Sequence, residues 1–169
     1  MGRPLRNIEP SDWVHTIFRT INRQFLFSTK KAHSIWLDCL ERAQKRFDLK
    51  LYAWCGMNNH HHLLNQAPTV KYVEEEIDGV PFTYEEPTNY GQFLCETFSF
   101  FVRTFNRFFG RRSSLIDDRT KTVKVYDYSH ALNLLIYIFL NPVRAGLVKH
   151  PRDYLHSNFR QWSNFPGTF

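Results

Sequence analysis

His60 and His62 stand one residue apart in Tyr-Ala-Trp-Cys-Gly-Met-Asn-Asn-His-His-His-Leu-Leu (52–64). On a strand, side chains at i and i+2 leave the same face, so these two imidazoles can grip one divalent ion. Neutral imidazole suits manganese, zinc and other transition ions better than magnesium. Tyr137 opens a second run, Tyr-Ile-Phe-Leu-Asn-Pro-Val-Arg-Ala-Gly-Leu (137–147). A free phenol ionises near pH ~10, so at neutral pH it needs a metal or a base to give up its proton. Asn141 follows Tyr137 by one helical turn, which lets its carboxamide face the same ion. Its competing place is the helix C-terminus ahead of Pro142. Each signal is weak alone, since a tyrosine within Leu-Leu-Ile-Tyr-Ile-Phe-Leu is ordinarily core. An imidazole pair joined by a phenol, without a serine-type triad, points to cutting of a phosphodiester backbone. His61 should leave the opposite face, packed beneath a helix or partly wet at the sheet edge.

The rest of the chain suits a polyanionic partner. The formal net charge is +6, yet residues 65–90 hold six acids (Glu74, Glu75, Glu76, Asp78, Glu85, Glu86) against Lys71. Outside that stretch stand 21 bases and 10 acids, a balance of +11. A basic body with one acidic segment fits nucleic acid, although charge alone equally serves solubility. Candidate phosphate contacts are Arg19, Arg23, Arg103, Arg107 and Arg144, with Arg111, Arg112, Lys149 and Arg152 behind them. Trp162 and Tyr154 are candidates for stacking on unpaired bases. The 169 residues, 43% hydrophobic, are enough for one domain with a real core. There is no apolar membrane-length run and no apolar leader. The three cysteines form no CxxC pair, which favours unpaired thiols and a cytoplasmic location.

The elements that must position the site follow from periodicity. Residues 13–21 are β-branched and aromatic and predict a strand. Ser28 and Thr29 can cap a helix over 30–47, whose apolar stripe is Ile35, Trp36, Cys39, Leu40, Ala43 and Phe47. Residues 49–56 and 60–66 predict two strands joined by the Asn58-Asn59 turn. The acidic segment 67–90 holds Pro68, Gly79, Pro81 and Pro87 and predicts an insertion loop with, at most, a short hairpin at Gly79. A helix over 90–109, ended by Gly110, places Phe98, Phe101, Phe105 and Phe108 on one face and Arg103 and Arg107 on another. A strand at 121–126 precedes a helix from 127–129 to about 140, stopped by Pro142. The order β-α-β-β-α-β-α predicts an α+β, ferredoxin-like sandwich: an antiparallel sheet, helices on one face, and a C-terminal helix carrying the nucleophile.

These residues carry a resemblance. Met57-Asn58-Asn59-His60-His61-His62-Leu63-Leu64 resembles the His-hydrophobic-His motif of the single-tyrosine HUH transposases, most closely the REP-associated tyrosine transposase branch. Tyr137 to Val148 resembles that branch's nucleophile helix. Arg3-Pro4-Leu5-Arg6, Val14-His15 through Arg19 to Phe27, Thr104-Phe105-Asn106-Arg107 and Tyr154 to Phe159 are similar to its other signatures. The match runs over nearly the whole chain. It departs at His61, where the family has an apolar residue, and at Asn58, where proline is usual. The acidic stretch 70–88 is longer than the family leads one to expect.

The resemblance implies a metal-dependent single-stranded DNA endonuclease and strand transferase. Tyr137 would be the nucleophile, forming a 5′-phosphotyrosine link, and His60, His62 and Asn141 would hold a divalent metal, magnesium or manganese. The implied partner is single-stranded, hairpin-forming DNA, with no membrane, and the protein is a monomer or a homodimer. Two readings stay open beside it: a catalytically silent single-stranded DNA-binding regulator derived from such an enzyme, and a metal-dependent hydrolase of another substrate on the same fold.

Overall fold

A computed structural model of the chain describes residues 7–117 and 120–163. The Arg3–Arg6 motif lies outside them. Four strands form one antiparallel sheet in the order β2-β3-β1-β6: β1 (Trp13–Arg19), β2 (Leu51–Gly56), β3 (His60–Gln66) and β6 (Lys121–Val125). Between them run α1 (Lys30–Arg46), the hairpin β4 (Val70–Ile77) and β5 (Val80–Pro87), and α2 (Tyr90–Phe108). α3 (Tyr128–Arg144) and the short α4 (Phe159–Ser163) follow β6. The α+β sandwich with an antiparallel sheet is therefore as the sequence predicts.

Strand alternation divides the core in two. Val14, Phe18 and Leu63 point to the face covered by α1 and α2, where Phe27, Trp36, Phe101 and Phe105 are also fully buried. Each such side chain contributes about 1.5–3 kcal/mol by leaving water. Ala53, Cys55, Leu64 and Val125 point to the other face, where α3 lays down Leu134, Leu135, Ile138 and Phe139. The expectation of helices on one face thus holds for α1 and α2, while the helix carrying Tyr137 takes the opposite face, with Phe159 and Trp162 of α4 packed beside it.

The helix ends follow local chemistry. Thr29 caps α1 by accepting from the Ala32 amide, and Asn89 with Gln92 forms a reciprocal capping box at α2. Gly110, at φ 62°, ends α2 in the left-handed region that glycine adopts at little cost. All six residues of the α1 stripe are buried. On α2, Phe98, Phe101 and Phe105 are buried, whereas Phe108 is 56% exposed and lies beneath the Lys31 ammonium, 5.0 Å from the ring centroid.

Two expectations are corrected. The hairpin expected at Gly79 does form, but the acidic segment around it is an eight-pair ladder, from Val70–Pro87 to Ile77–Val80, and not a loop. Its turn is Asp78-Gly79 with φ 52° and 79°, the left-handed pair that a tight two-residue hairpin requires. The prolines do not break it, because Pro81 and Pro87 sit on a strand with no further neighbour. Lys71 pairs with Glu86 at 2.9 Å, and Asp48 accepts from the Thr69 and Val70 amides at 2.7 and 3.0 Å, anchoring the hairpin beside α1. Secondly, Pro142 does not stop α3, which runs on to Arg144. Proline leaves the Ile138 carbonyl without its helical N–H. The Asn141 side-chain amide lies over that gap, 3.1 Å from the Tyr137 carbonyl and 3.5 Å from that of Ile138. The helix ends one turn later: Gly146 (φ 68°) donates to Val143 O and Leu147 to Pro142 O, both at 2.9 Å, a Schellman closure. Among the described residues no helix is long and apolar enough to cross a membrane.

Candidate active site

β3 delivers the imidazole pair. Register places Arg19 opposite His60, Ile17 opposite His62 and His15 opposite Leu64. Directly opposed residues share a face. His15, Ile17, Arg19, His60 and His62 therefore lie on one side of the sheet, and α3 covers that same side. His61 points the other way, fully buried between the rings of Phe18 (4.8 Å) and Phe27 (4.3 Å), with Trp36 at 5.3 Å. Gly56 opposes it, and a Cβ there would meet the His61 ring at 2.7 Å, so β2 needs glycine at this point.

The His60 and His62 ring centroids are 5.0 Å apart at 82°. α3 brings Tyr137 edge-on to His62 at 5.6 Å, within the same chain. Tyr137 is 38% exposed, while His62 is 3% exposed. The Arg144 guanidinium lies over the Tyr137 ring, 5.5 Å from its centroid.

The donor chemistry fits a cation. Burial, and then neighbouring positive charge, lowers the affinity of both imidazoles for a proton: His62 is pushed down to about 3, and His60 also falls below its ordinary value. Both are then neutral at pH 7, the state that ligates metal. His60 Nδ1 is 2.7 Å from Asn59 Oδ1 and His62 Nδ1 is 3.0 Å from His15 Nε2. Ligating histidines ordinarily carry such a partner on the second nitrogen. No cluster of three or more His, Cys, Asp or Glu suited to a metal occurs among the described residues. A third protein ligand would have to be another type of side chain, and Asn141 is the candidate one turn from Tyr137. Its amide nitrogen donates to α3 carbonyls, so Oδ1 is the only side-chain atom that could face a cation.

Arg19 and Arg23 line a cavity of about 200 Å³ with Asn59 and His60. Arg23 and Asn22 take left-handed φ of 53° and 51° in the short 3₁₀ turn after β1. Thr20 Oγ1 donates to Gln24 O at 2.6 Å, and Asn59 Nδ2 donates to Arg23 O at 3.2 Å, holding that turn against the sheet. Left-handed non-glycine residues cost about 1–3 kcal/mol and tend to mark functional geometry.

The other candidates separate. Arg103 and Arg107 sit on α2, behind the sheet, because the phenylalanine face of that helix must turn inward and its polar face outward. They are not part of this site. Tyr154 and Trp162 are structural: Tyr154 donates to Gly56 O at 2.6 Å and Trp162 Nε1 donates to Tyr52 O at 2.6 Å, tying the C-terminal segment to β2. His15 is the residue that sequence reasoning missed. Its signal was strand alternation with Arg19, but the cross-strand register that brings it to His62 is not written locally.

Residues 11–80, from β1 through the β4–β5 turn, match the family model described as "Transposase IS200 like". No curated protein matches the chain significantly in sequence. Among solved structures, a REP-associated tyrosine transposase bound to a REP hairpin superposes with a TM-score of 0.68 at 15% identity, covering 95% of this chain and 84% of that one. A proposed transposase from Deinococcus radiodurans R1 gives 0.45 at 14% identity, over 80% of this chain and 95% of the other. The resemblance carried by the motifs is borne out to this extent: residues 11–80 match the IS200-like transposase model, and the chain shares the fold of a REP-associated tyrosine transposase.

Proposed function

We propose that the protein is a metal-dependent single-stranded DNA endonuclease and strand transferase. One observation carries this reading: the Tyr137 ring meets His62 at 5.6 Å on the sheet face that also presents His60 and Arg19. His60 and His62, with Asn141 as the third ligand, would hold a divalent ion, magnesium or manganese. Bound there, such an ion supplies Lewis-acid polarisation of the scissile phosphate. Arg19 and Arg23 hold the strand through its phosphates in the cavity beside His60, and Arg144 adds positive charge over Tyr137. α3 orients the Tyr137 oxygen for in-line attack. The new bond joins that oxygen to phosphorus and the phosphorus–O3′ bond breaks. The phenolic proton passes to solvent, and the leaving 3′ oxygen takes one up. The product is a 5′-phosphotyrosine link and a free 3′-hydroxyl, which can later reverse the step and rejoin the strand.

The hairpin held by the structural relative supports folded single-stranded DNA as the substrate class. The test incubates the protein with manganese and end-labelled, hairpin-forming single strands. A covalent adduct on a denaturing gel, absent in Tyr137→Phe, is the expected result. Equal adduct from that variant overturns the reading. A second reading, DNA binding without catalysis, is favoured by the donor set, since no third His, Cys, Asp or Glu joins the imidazole pair among the described residues. Saturable manganese binding that is lost in His60→Ala argues against it.

A further inference from the structure

The two candidate ligands are held by different partners on corresponding atoms. Asn59 supplies the first. Its Nδ2 donates to the Arg23 carbonyl at 3.2 Å, which turns Oδ1 toward His60 Nδ1 at 2.7 Å. A carbonyl oxygen only accepts, so the His60 proton sits on Nδ1 and the Nε2 lone pair is free. The turn itself is fixed: Thr20 N donates to Asn59 O at 2.9 Å and Met57 N to His60 O at 2.8 Å.

His62 has no such oxygen. Its Nδ1 lies 3.0 Å from Nε2 of His15, with the ring centroids 5.2 Å apart and the ring planes within 19° of each other, as an in-plane N–H···N bond requires. Between neutral imidazoles either nitrogen can carry the proton. We propose that His15 is a positioning residue: its Nε2 accepts from His62 Nδ1–H, which keeps the proton off His62 Nε2 and leaves that lone pair beside the one His60 presents. β1 thus supplies half of the tautomer control for a site whose ligands all come from β3 and α3. The same contact adds orientation, because an N–H···N bond to a ring fixed on β1 limits the rotation of His62 about χ2. This inference rests on the metal-site reading above, but its first readout does not need metal or DNA.

The test is nitrogen NMR of the metal-free, ¹⁵N-labelled protein, reading the two-bond couplings of the His62 ring, followed by manganese titration. The expected result is His62 and His60 both protonated at Nδ1. In His15→Phe, which keeps a ring but no acceptor, the His62 tautomer shifts or mixes and manganese affinity falls about 10- to 100-fold. His15→Gln, which restores an acceptor, returns affinity most of the way. A proton on His62 Nε2 in the wild-type protein overturns the proposal even if His15→Phe fails to fold. So does an unchanged tautomer with unchanged affinity in His15→Phe. If both rings are protonated at Nδ1 yet no manganese binds, the metal-site reading fails while the tautomer control stands.

Discussion

Replacing His61 with leucine should stabilise this protein. The side chain is fully buried, and neither Nδ1 nor Nε2 has a hydrogen-bond partner in its aromatic surroundings. A buried polar group left unpaired costs about 1–3 kcal/mol. Leucine has nearly the same volume and no polar atom, so it should recover one or both of those penalties. The offset is the loss of ring contacts with Phe18, Phe27 and Trp36, of the kind worth about 0.5–1.5 kcal/mol per aromatic pair. Imidazole is the weakest partner of that class, so a net gain of roughly 1–2 kcal/mol remains at pH 7. Acid should widen the gap. Burial, followed by the charge of His33, holds the folded-state pKa of His61 well below its ordinary value. The unfolded chain takes up this proton below pH ~6.5 and the folded chain does not, so wild-type stability is intact above that value and declines below it. Each pH unit costs up to about 1.4 kcal/mol from this one ring, and leucine escapes it. Urea denaturation in EDTA at pH 7.5, 6 and 5 measures the difference, with an unchanged m-value as the control. A loss of more than ~1 kcal/mol in His61→Leu would refute the reasoning, because it would mean that the ring nitrogens are satisfied. So would a difference independent of pH.

Other perturbations give sharp outcomes. Tyr154→Phe removes the buried donor to Gly56 O and should cost about 1–2 kcal/mol, seen as a lower urea midpoint with unchanged manganese binding. Arg19→Ala and Arg23→Ala should each reduce the slope of log affinity against log salt for single-stranded DNA by roughly 0.7, the value for one lost phosphate contact. Arg103→Ala, on the far side of the sheet, should leave the adduct yield unchanged in the gel assay, since α2 contributes nothing to the Tyr137 side.

Much of the fold was legible because its signals are local. The stripe from Ile35 to Phe47 and the phenylalanine spacing of α2 are period-3.6 patterns, and His60–His62 is a period-2 pattern; each declares its face without its neighbours. What failed depended on context. Glutamates disfavour strands, yet Glu74, Glu75 and Glu76 pair across a hairpin whose exposed surface removes the cost of charge. Pro142 reads as a stop, yet an adjacent carboxamide lies over the carbonyl it strands. His15 became visible only through register, since its distance to His62 is set by how β1 slides along β3. His60, His62 and Tyr137 could be picked out singly from the sequence; the side chains that each of them touches could not.

The central claim is that Tyr137 forms a covalent bond to DNA beside the imidazole pair. Its most direct measurement is peptide mapping of the quenched reaction with manganese and a hairpin-forming single strand: nuclease trimming, tryptic digestion and tandem mass spectrometry. The account predicts a nucleotide linked through its 5′-phosphate to the Tyr137 side chain. A phosphonucleotide on Tyr126 or Tyr128 instead, or strand cleavage with no tyrosine adduct at all, would contradict it.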